Sequence, residues 1–334
     1  MGFSGPVALE PAVRSRAHHG IWGDRIFRYL VFAVAIAVVL LIVLFLYVLF
    51  RGSVPSFQAF GWEFFISSEW NSVALKFGAL PFIYGTVVTA IIAMLLGVPV
   101  SLGIAIFLTE LSPGWLRSPL TFIVELLAAV PSVIYGLWAF AVLAPVMAHY
   151  IEPAIQTVVF WQVNGFAPLF FLQPLFAGVP LGTDKLTAGV ILAIMIIPTV
   201  TAISRESFAQ VPQNQREAAL SLGATQWETT RVAVLSYART GIFAAAILGL
   251  GRAIGETMAV TMTIGNSNTI TTSLLEPGQT IPSLIANSWA EAEGVQLQVS
   301  SLLELALILL LVSLLINVVA RLMIRRLVPG GGRE

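Results

Sequence analysis

Long apolar runs separated by shorter polar segments dominate this chain and predict membrane-spanning helices. A helix that crosses the hydrocarbon core of a bilayer takes about 20 apolar residues. Six runs meet that requirement, at residues 29–50, 82–108, 120–147, 186–203, 240–264 and 302–322. Pro131 interrupts the third run, where we expect a kink. The pattern therefore predicts an all-α membrane protein with six transmembrane helices.

Residues 149–185 do not fit that pattern. They are fairly apolar, but they carry Gln162, Asn164, Pro168, Gln173 and Pro174, which suit a lipid-facing helix poorly. We interpret this stretch as an extracytoplasmic excursion, either wholly outside the membrane or partly re-entrant. Residues 266–301 are predicted to form a second long outer loop.

Composition and charge support a membrane protein. The chain of 334 residues is 57% hydrophobic and 10% charged, whereas soluble domains carry about 25% charged residues. Zero net charge does not suggest a nucleic-acid partner. The lack of cysteine excludes disulfides, thiolate metal sites and cysteine nucleophiles. The pair His18 and His19 has no further ligands nearby, so we predict no metal site.

The distribution of basic residues predicts the orientation. In the six-span arrangement most of the 17 Lys and Arg residues lie on the side of the N terminus, which indicates that both termini are cytoplasmic. We divide the chain into a basic cytoplasmic tail (1–28), the first span with an outer loop (29–81), a transmembrane core (82–322) and a cytoplasmic C-terminal tail (323–334). The core includes a cytoplasmic loop at 204–239.

The loop at 204–239 is unusually polar and has helix signals of its own. Asn214 precedes Glu217, and Thr225 precedes Glu228, by the three residues of a capping box. Gly223 is suited to end the first helix. We predict a short helix, a break at Gly223 and a second helix. Glu217 and Glu228 either cap these helices or serve a partner.

Part of this loop resembles a known motif. Glu217-Ala218-Ala219 followed by Gly223 is similar to the EAA loop of binding-protein-dependent ABC importer permeases. In that family the loop forms coupling helices that dock on the ATPase subunit. The family continues with Ile-x-Leu-Pro, of which this chain keeps only Leu235. The resemblance implies that these residues couple the chain to an ATPase.

A second resemblance is more specific. The stretches 125–138 and 248–266, which contain Glu125, Arg252 and Glu256, are similar to the phosphate importer permeases of the PstC type. This resemblance implies the type I ABC importer architecture and phosphate transport by alternating access in the bacterial cytoplasmic (inner) membrane. It implies as partners a second permease subunit (PstA type), two ATP-binding subunits (PstB type) and an extracytoplasmic phosphate-binding protein (PstS type).

Arg252 and Glu256 are the candidates for the substrate pathway. Insertion scales put an arginine in mid-membrane at about 2.5–3.5 kcal/mol, so it should face a partner helix or a water-filled cavity. Its planar guanidinium suits a tetrahedral oxyanion. Four residues apart on one helix, Arg252 and Glu256 can pair, and the alternative is a purely structural ion pair. Glu125, near a predicted cytoplasmic helix end, is a further candidate.

The chain contains no Gly-Lys-Ser/Thr sequence and hence no P-loop. We therefore predict a transport subunit without catalytic residues or bound cofactors, with ATP and Mg on partner ATPase subunits. Three alternatives remain. The substrate is another oxyanion such as sulfate or molybdate, the chain is an ion-gradient secondary transporter, or it is a membrane sensor.

Overall fold

A computed structural model describes residues 20–161 and 170–327, and these are mostly helical. The α-helices there are α1 (Gly20–Phe60), α2 (Glu63–Ile66), α3 (Leu80–Ile106), α4 (Gly114–Ala129), α5 (Ser132–Trp138), α6 (Ala144–Val146), α7 (Glu152–Val159), α8 (Lys185–Ala209), α9 (Gln213–Ser221), α10 (Gln226–Thr229), α11 (Ser236–Gly255), α12 (Met258–Thr263), α13 (Ile281–Ala292) and α14 (Gln296–Leu327).

Shorter elements join or extend these helices. A two-stranded antiparallel hairpin pairs β1 (Trp70–Asn71) with β2 (Lys76–Phe77). A 3₁₀-helix covers Phe170–Leu175. Wider π-helical turns lie at Phe107–Leu111, Ala139–Leu143, Met147–Ile151 and Thr230–Leu235. Because these turns continue helices without a break, consecutive α-helices combine into longer spans.

Six helical segments in the described residues are long and apolar enough to cross a membrane. They are Gly23–Phe60, Leu80–Leu111, Ser132–Val159, Lys185–Ala209, Gln226–Gly255 and Gln296–Met323. The prediction of six spans is confirmed. The orientation of the termini stays a prediction.

The chain forms two compact units, one ending at Arg51 and the other beginning at Gly52. In the described part of the first unit, α1 is mostly apolar, and its side chains from residue 23 onward are exposed except for Leu46 and Leu49. A helix that is hydrophobic all round is typical of a membrane span.

Helix α8 lies at the centre of the second unit. Two thirds of its most apolar 18-residue stretch is buried inside the protein, a larger share than in any other span of the described residues. Leu192, Ile196 and Val200 of α8 pack with Ala93 of α3 and Ala245 of α11 in one buried cluster. Small side chains on the neighbours let the helices approach closely, which is how helices in lipid gain packing energy.

The prediction for the third span is wrong in its position. Helix α4 ends at Ala129, and Val130 and Pro131 are extended. Proline has no N–H to donate and pushes the preceding residue out of the helical region, so Pro131 ends the helix instead of kinking it. The span begins at Ser132 and continues to Val159. It therefore takes up part of the predicted excursion at 149–185.

The prediction for the fifth span is wrong at its C-terminal end, because α11 ends at Gly255. At the other end one continuous helix runs from Gln226 to Gly255, so the second helix predicted within residues 204–239 continues into this span. The chain then turns extended at Glu256 before α12. The predicted outer loop at 266–301 is helical over half of its length, since it contains α13 and the first turns of α14.

The non-helical residues between α12 and α13 pack against neighbouring helices. Gly278 donates its backbone N–H to the carbonyl of Ile264 at 3.0 Å, and Ile281 donates to Thr86 Oγ1 of α3 at 3.0 Å. Leu186 of α8 donates to the carbonyl of Leu274 at 3.0 Å. These bonds supply partners inside the protein, as irregular backbone at membrane depth requires.

Some predictions fall outside the described residues. The polar residues Gln162, Asn164 and Pro168, on which the re-entrant interpretation depends, lie there. The first 19 residues, including His18 and His19, and the last seven also lie outside.

Gly85 and Gly103 offer a test of this packing. A Cβ at Gly85 of α3 would collide with the backbone carbonyl of Gln279. We expect Gly85→Ala to lower the free energy of unfolding by about 1–3 kcal/mol, because backbone must move. At Gly103, on the same helix, nothing lies within 4 Å of the added Cβ, and alanine should stabilise by up to about 1 kcal/mol. Thermal unfolding of the purified chain in detergent measures both, and equal midpoints would contradict the close approach.

Candidate functional site

The segment from α9 to α10 has the predicted helix, glycine break and second helix. Gly223 has a φ of +87°, in the left-handed region that glycine favours. Ala224 donates its N–H to the carbonyl of Ala219 at 3.2 Å, as in a Schellman ending. Thr225 and Glu228 form the predicted capping box in full. The break at Gly223 is therefore confirmed.

The predicted capping box at Asn214 is wrong. Helix α9 begins at Gln213, its cap residue is Pro212, and no side chain caps it. Asn214 lies inside the helix, where its side chain cannot act as a cap. Glu217 is consequently not held by a capping box.

The residues of the EAA motif are presented on an open helix. Glu217 and Ala218 are exposed, Ala219 is half-buried, and no residue of α9 is buried. Such a helix has little in its own chain to stabilise it, because short helices depend on packing. Its surface is free to meet a partner.

Arg216 fastens α9 to two spans. Its Nη1 donates to the carbonyl of Val211 at 2.6 Å, and its Nη2 donates to the carbonyl of Phe208 at 2.9 Å and to Glu110 Oε1 at 3.0 Å. The side chains of Arg216 and Glu110 are only 17% and 10% exposed. Because Glu110 ends the second span and Phe208 ends α8, this guanidinium ties the start of α9 to both.

A second ion pair lies nearby and is more open. Arg205 Nη2 is 3.1 Å from Glu125 Oε1, with side chains 29% and 56% exposed. Glu125 lies on α4, so this candidate contacts the segment at 204–239 through Arg205.

A cavity of about 850 Å³ lies beside both ion pairs. Its polar and charged lining residues are Thr109, Glu110, Arg117, Arg205, Glu206, Gln213 and Arg216. Water can therefore reach charged groups here.

Arg252 faces other helices. It lies in the last turn of α11 and is half-buried, and its Nη1 donates to Thr199 Oγ1 of α8 at 3.1 Å. Tyr135 of α5 is close enough to interact with it electrostatically. Arg252 thus lies where three spans meet, as expected for an arginine in a membrane.

Arg252 and Glu256 do not pair as predicted. Helix α11 ends at Gly255, so Glu256 is extended and no longer shares a helical face with Arg252. Its Oε1 accepts a bond from the N–H of Ala259 at 3.4 Å, in the first turn of α12. The ion pairs of the described residues do not include one between Arg252 and Glu256.

Several residues of this arrangement were not found from the sequence. Arg252 contacts Thr199 and Tyr135 of other spans, and Arg216 contacts Glu110 of the second span. No local spacing in the sequence indicates such contacts between distant residues. Only Arg216 could have been suspected of an ion pair, because it is an arginine in a short helix beside the motif. Metal clusters of three or more acidic or histidine side chains are absent from the described residues.

Comparison with known proteins identifies the family. Residues 97–330 match the family described as "Binding-protein-dependent transport system inner membrane component". The chain belongs to this family. Together with the six apolar spans, membership makes it a multi-pass membrane protein and a permease of the ABC transporter class.

Relatives of this permease are similar over most of their length. A "Phosphate transport system permease protein PstC" of Xylella fastidiosa (strain Temecula1) is 49% identical over 83% of this chain and 82% of its own. A protein of the same name from Mesorhizobium japonicum is 46% identical over 95% of this chain and 96% of its own. The predicted resemblance to PstC-type permeases is confirmed.

Solved structures of ABC transporters share the fold of this permease. A bacterial alginate ABC transporter, in complex with an alginate-bound periplasmic protein, aligns with a TM-score of 0.60 at 16% identity, over 93% of this chain and 99% of that one. The inward-facing MetNI methionine ABC transporter aligns at 0.52 and 14% identity, over 74% and 95% of the chains. The predicted ABC importer permease architecture is confirmed.

The two arginine–glutamate pairs allow a matched test. We expect Arg216→Gln to lower stability by about 3 kcal/mol, because it leaves Glu110 shielded and unpaired. We expect Arg205→Gln to cost less than about 1 kcal/mol, because that pair is open to solvent. Denaturation of the two variants compares them, and hydrogen exchange should show faster exchange in α9 only for Arg216→Gln. Similar losses in both would show that shielding of the Arg216 pair is unimportant.

Proposed function

We propose that this chain is a transmembrane permease subunit of an ATP-driven ABC importer for inorganic phosphate. The assignment of phosphate as the substrate rests on the 46–49% identity to permeases named for phosphate transport. The placement of Arg252 between spans supports it, because a half-buried guanidinium offers an oxyanion paired hydrogen-bond donors.

The proposed assembly follows from the missing P-loop and from the exposed EAA motif. Without a P-loop in its sequence it needs ATPase subunits, so two ATP-binding subunits (PstB type) hold ATP and Mg. The exposed motif residues Glu217, Ala218, Ala219 and Gly223 dock on one of them. A second permease (PstA type) completes the path, and an extracytoplasmic binding protein (PstS type) delivers phosphate. The complex lies in the bacterial inner membrane with both termini of this chain in the cytoplasm.

The coupling step uses the attachment of α9. ATP binding closes the ATPase subunits and moves the docked helix, and Arg216 passes this movement to the second span and to α8. Because α8 contacts α3 and α11 in the core, its displacement reaches the helices around Arg252. The path then opens to the outside, and hydrolysis returns it to the inward-open state.

Arg252 binds phosphate transiently as it passes. The hydroxyl of Thr199, which accepts from Arg252 in the free permease, becomes available as a further donor to the anion. Glu256 adds a negative charge four residues further along and keeps phosphate from binding too tightly, since conduction needs weak, multi-site binding. It does so without neutralising Arg252 directly.

The first test is uptake of labelled phosphate by vesicles that contain the complete importer. We expect Arg252→Gln to lower uptake about tenfold or more, because a hydrogen bond to a charged group contributes about 1.5–3 kcal/mol. Arg51→Gln, which removes an exposed arginine of α1, is the matched control and should transport normally.

Competitors and energy sources decide among the alternatives. Phosphate uptake that requires ATP and persists in excess sulfate or molybdate supports the proposal. Inhibition by either competitor indicates another oxyanion. Uptake by this chain alone that an uncoupler abolishes indicates a secondary transporter, and an assembled complex with no oxyanion uptake leaves the role of a sensor.

A second test addresses coupling. Glu217→Lys reverses a charge on the exposed face of α9, and we expect loss of ATP-driven uptake while the protein remains in the membrane. Asp24→Lys makes the same reversal at an exposed position on α1 and should transport normally. Immunoblots of membranes and uptake assays measure both. Wild-type uptake by Glu217→Lys would contradict a role for this residue in docking.

A further inference from the structure

Two acidic side chains are buried together at one end of the third and fourth spans. Glu152 is the first residue of α7, and Asp184 is the cap residue immediately before α8. Both are 0% exposed. A buried carboxylate is costly unless it is paired or fully hydrogen-bonded, so the partners of these four oxygens decide their charge.

Three of the four oxygens have donors. Asp184 Oδ1 accepts from the N–H of Thr187 at 2.8 Å. Glu152 Oε2 accepts from the N–H of Gly182 at 3.3 Å, and its Oε1 accepts from Thr187 Oγ1 at 3.4 Å. Asp184 Oδ2 is buried and receives no hydrogen bond from any donor group in the described residues.

The two carboxyl groups nevertheless lie close together, because Thr187 donates its N–H to Asp184 Oδ1 and its hydroxyl to Glu152 Oε1. Two ionised carboxylates have only acceptors, so they cannot bond to each other and repel each other instead. One proton between them changes a repulsion into a hydrogen bond. It also supplies the donor that Asp184 Oδ2 lacks.

The surroundings favour Glu152 as the protonated partner. Asp184 caps the N terminus of α8, where the helix dipole and a short bond from Thr187 stabilise a negative charge. Glu152 receives only two long hydrogen bonds. Burial nevertheless raises the pKa of the Asp184 carboxyl above its usual range, so the site as a whole resists a second negative charge.

Neighbouring charges do not replace this proton. Lys185 is 1% exposed, but its Nζ donates to Thr271 Oγ1 at 2.6 Å and lies 5.9 Å from the centre of the Tyr84 ring. It interacts electrostatically with both Glu276 and Asp184. One cation therefore serves two acidic groups. His149 and Tyr150, the other titratable groups near Glu152 along the chain, are both exposed, and His149 contacts a backbone carbonyl.

We propose that Glu152 and Asp184 form a buried proton-binding site, which holds a single proton and joins the ends of the third and fourth spans. The site goes beyond phosphate import and does not depend on it. Loss of the proton places two negative charges side by side in a region without solvent. The connection between the two spans is then weakened.

This site links stability to pH with a definite sign. The folded chain holds the proton to higher pH than the same carboxyls hold it when unfolded. The stabilisation is therefore complete below the unfolded-state pKa and is lost as pH rises through the folded-state value. Within that window the folding equilibrium constant falls by up to about tenfold per pH unit.

The test is thermal unfolding of the full chain in detergent from mildly acidic to mildly alkaline pH. The wild-type midpoint should fall as pH rises. Glu152→Gln keeps a donor for Asp184 Oδ2 but cannot ionise, so its midpoint should stay level over the same range. Glu276→Gln is the matched control, because it removes a carboxyl that faces Lys185 outside the pair, and it should keep the wild-type slope.

A second measurement works even if a variant fails to fold. Infrared difference spectra of the wild-type chain should show a protonated carboxyl band at neutral pH that disappears on alkalinisation, and Glu152→Gln should lack it. Absence of this band in the wild type, or an unchanged pH slope in Glu152→Gln, would overturn the proposal. Restoration of the alkaline midpoint by sodium ions would also overturn it and indicate a cation site instead.

Discussion

Backbone amide and carbonyl groups in a bilayer must find their partners within the protein, and this constraint shapes the whole permease. It accounts for helices as the spanning elements. It also explains how the chain tolerates irregular segments between spans. The residues between α12 and α13 are tolerated because Leu186 of α8 donates to Leu274 and Gly278 donates to Ile264 within the segment, while Thr86 of α3 accepts from Ile281 at the start of α13. Irregular backbone is thus packed against the core around α8.

The same scarcity of water gives several buried or half-buried charged side chains specific partners. Arg216 has three acceptors and connects α9 to two spans. Arg252 donates to a neutral hydroxyl on α8. Glu152 meets Asp184 where neither is solvated. The connecting contacts of Arg216, the proposed binding role of Arg252 and the proposed proton site share one rule, that a charge removed from water needs defined partners.

The sequence predicted the helix ends well where the signal was local. Gly223 and the Thr225–Glu228 box act through bonds within a few residues, and both occur as expected. Where the decision depended on distant parts of the chain, prediction failed. Hydropathy could not distinguish a kink from an end at Pro131, and it merged α11 with α12 across Glu256. Of the candidate site, Glu125 was proposed only from its position near a helix end, and its contact with Arg205 came from the structure. The expected Arg252–Glu256 pair was wrong.

By itself the sequence determined the membrane class, the number of spans, the EAA motif and the family, because composition, run length and motif spacing are properties of the chain alone. Tertiary structure decided which side chains meet. The pairs are Glu110 with Arg216, Thr199 with Arg252, and Glu152 with Asp184 through Thr187, and each joins residues from different elements. Such contacts depend on how the helices pack around α8, and that packing cannot be predicted from residue spacing along the chain.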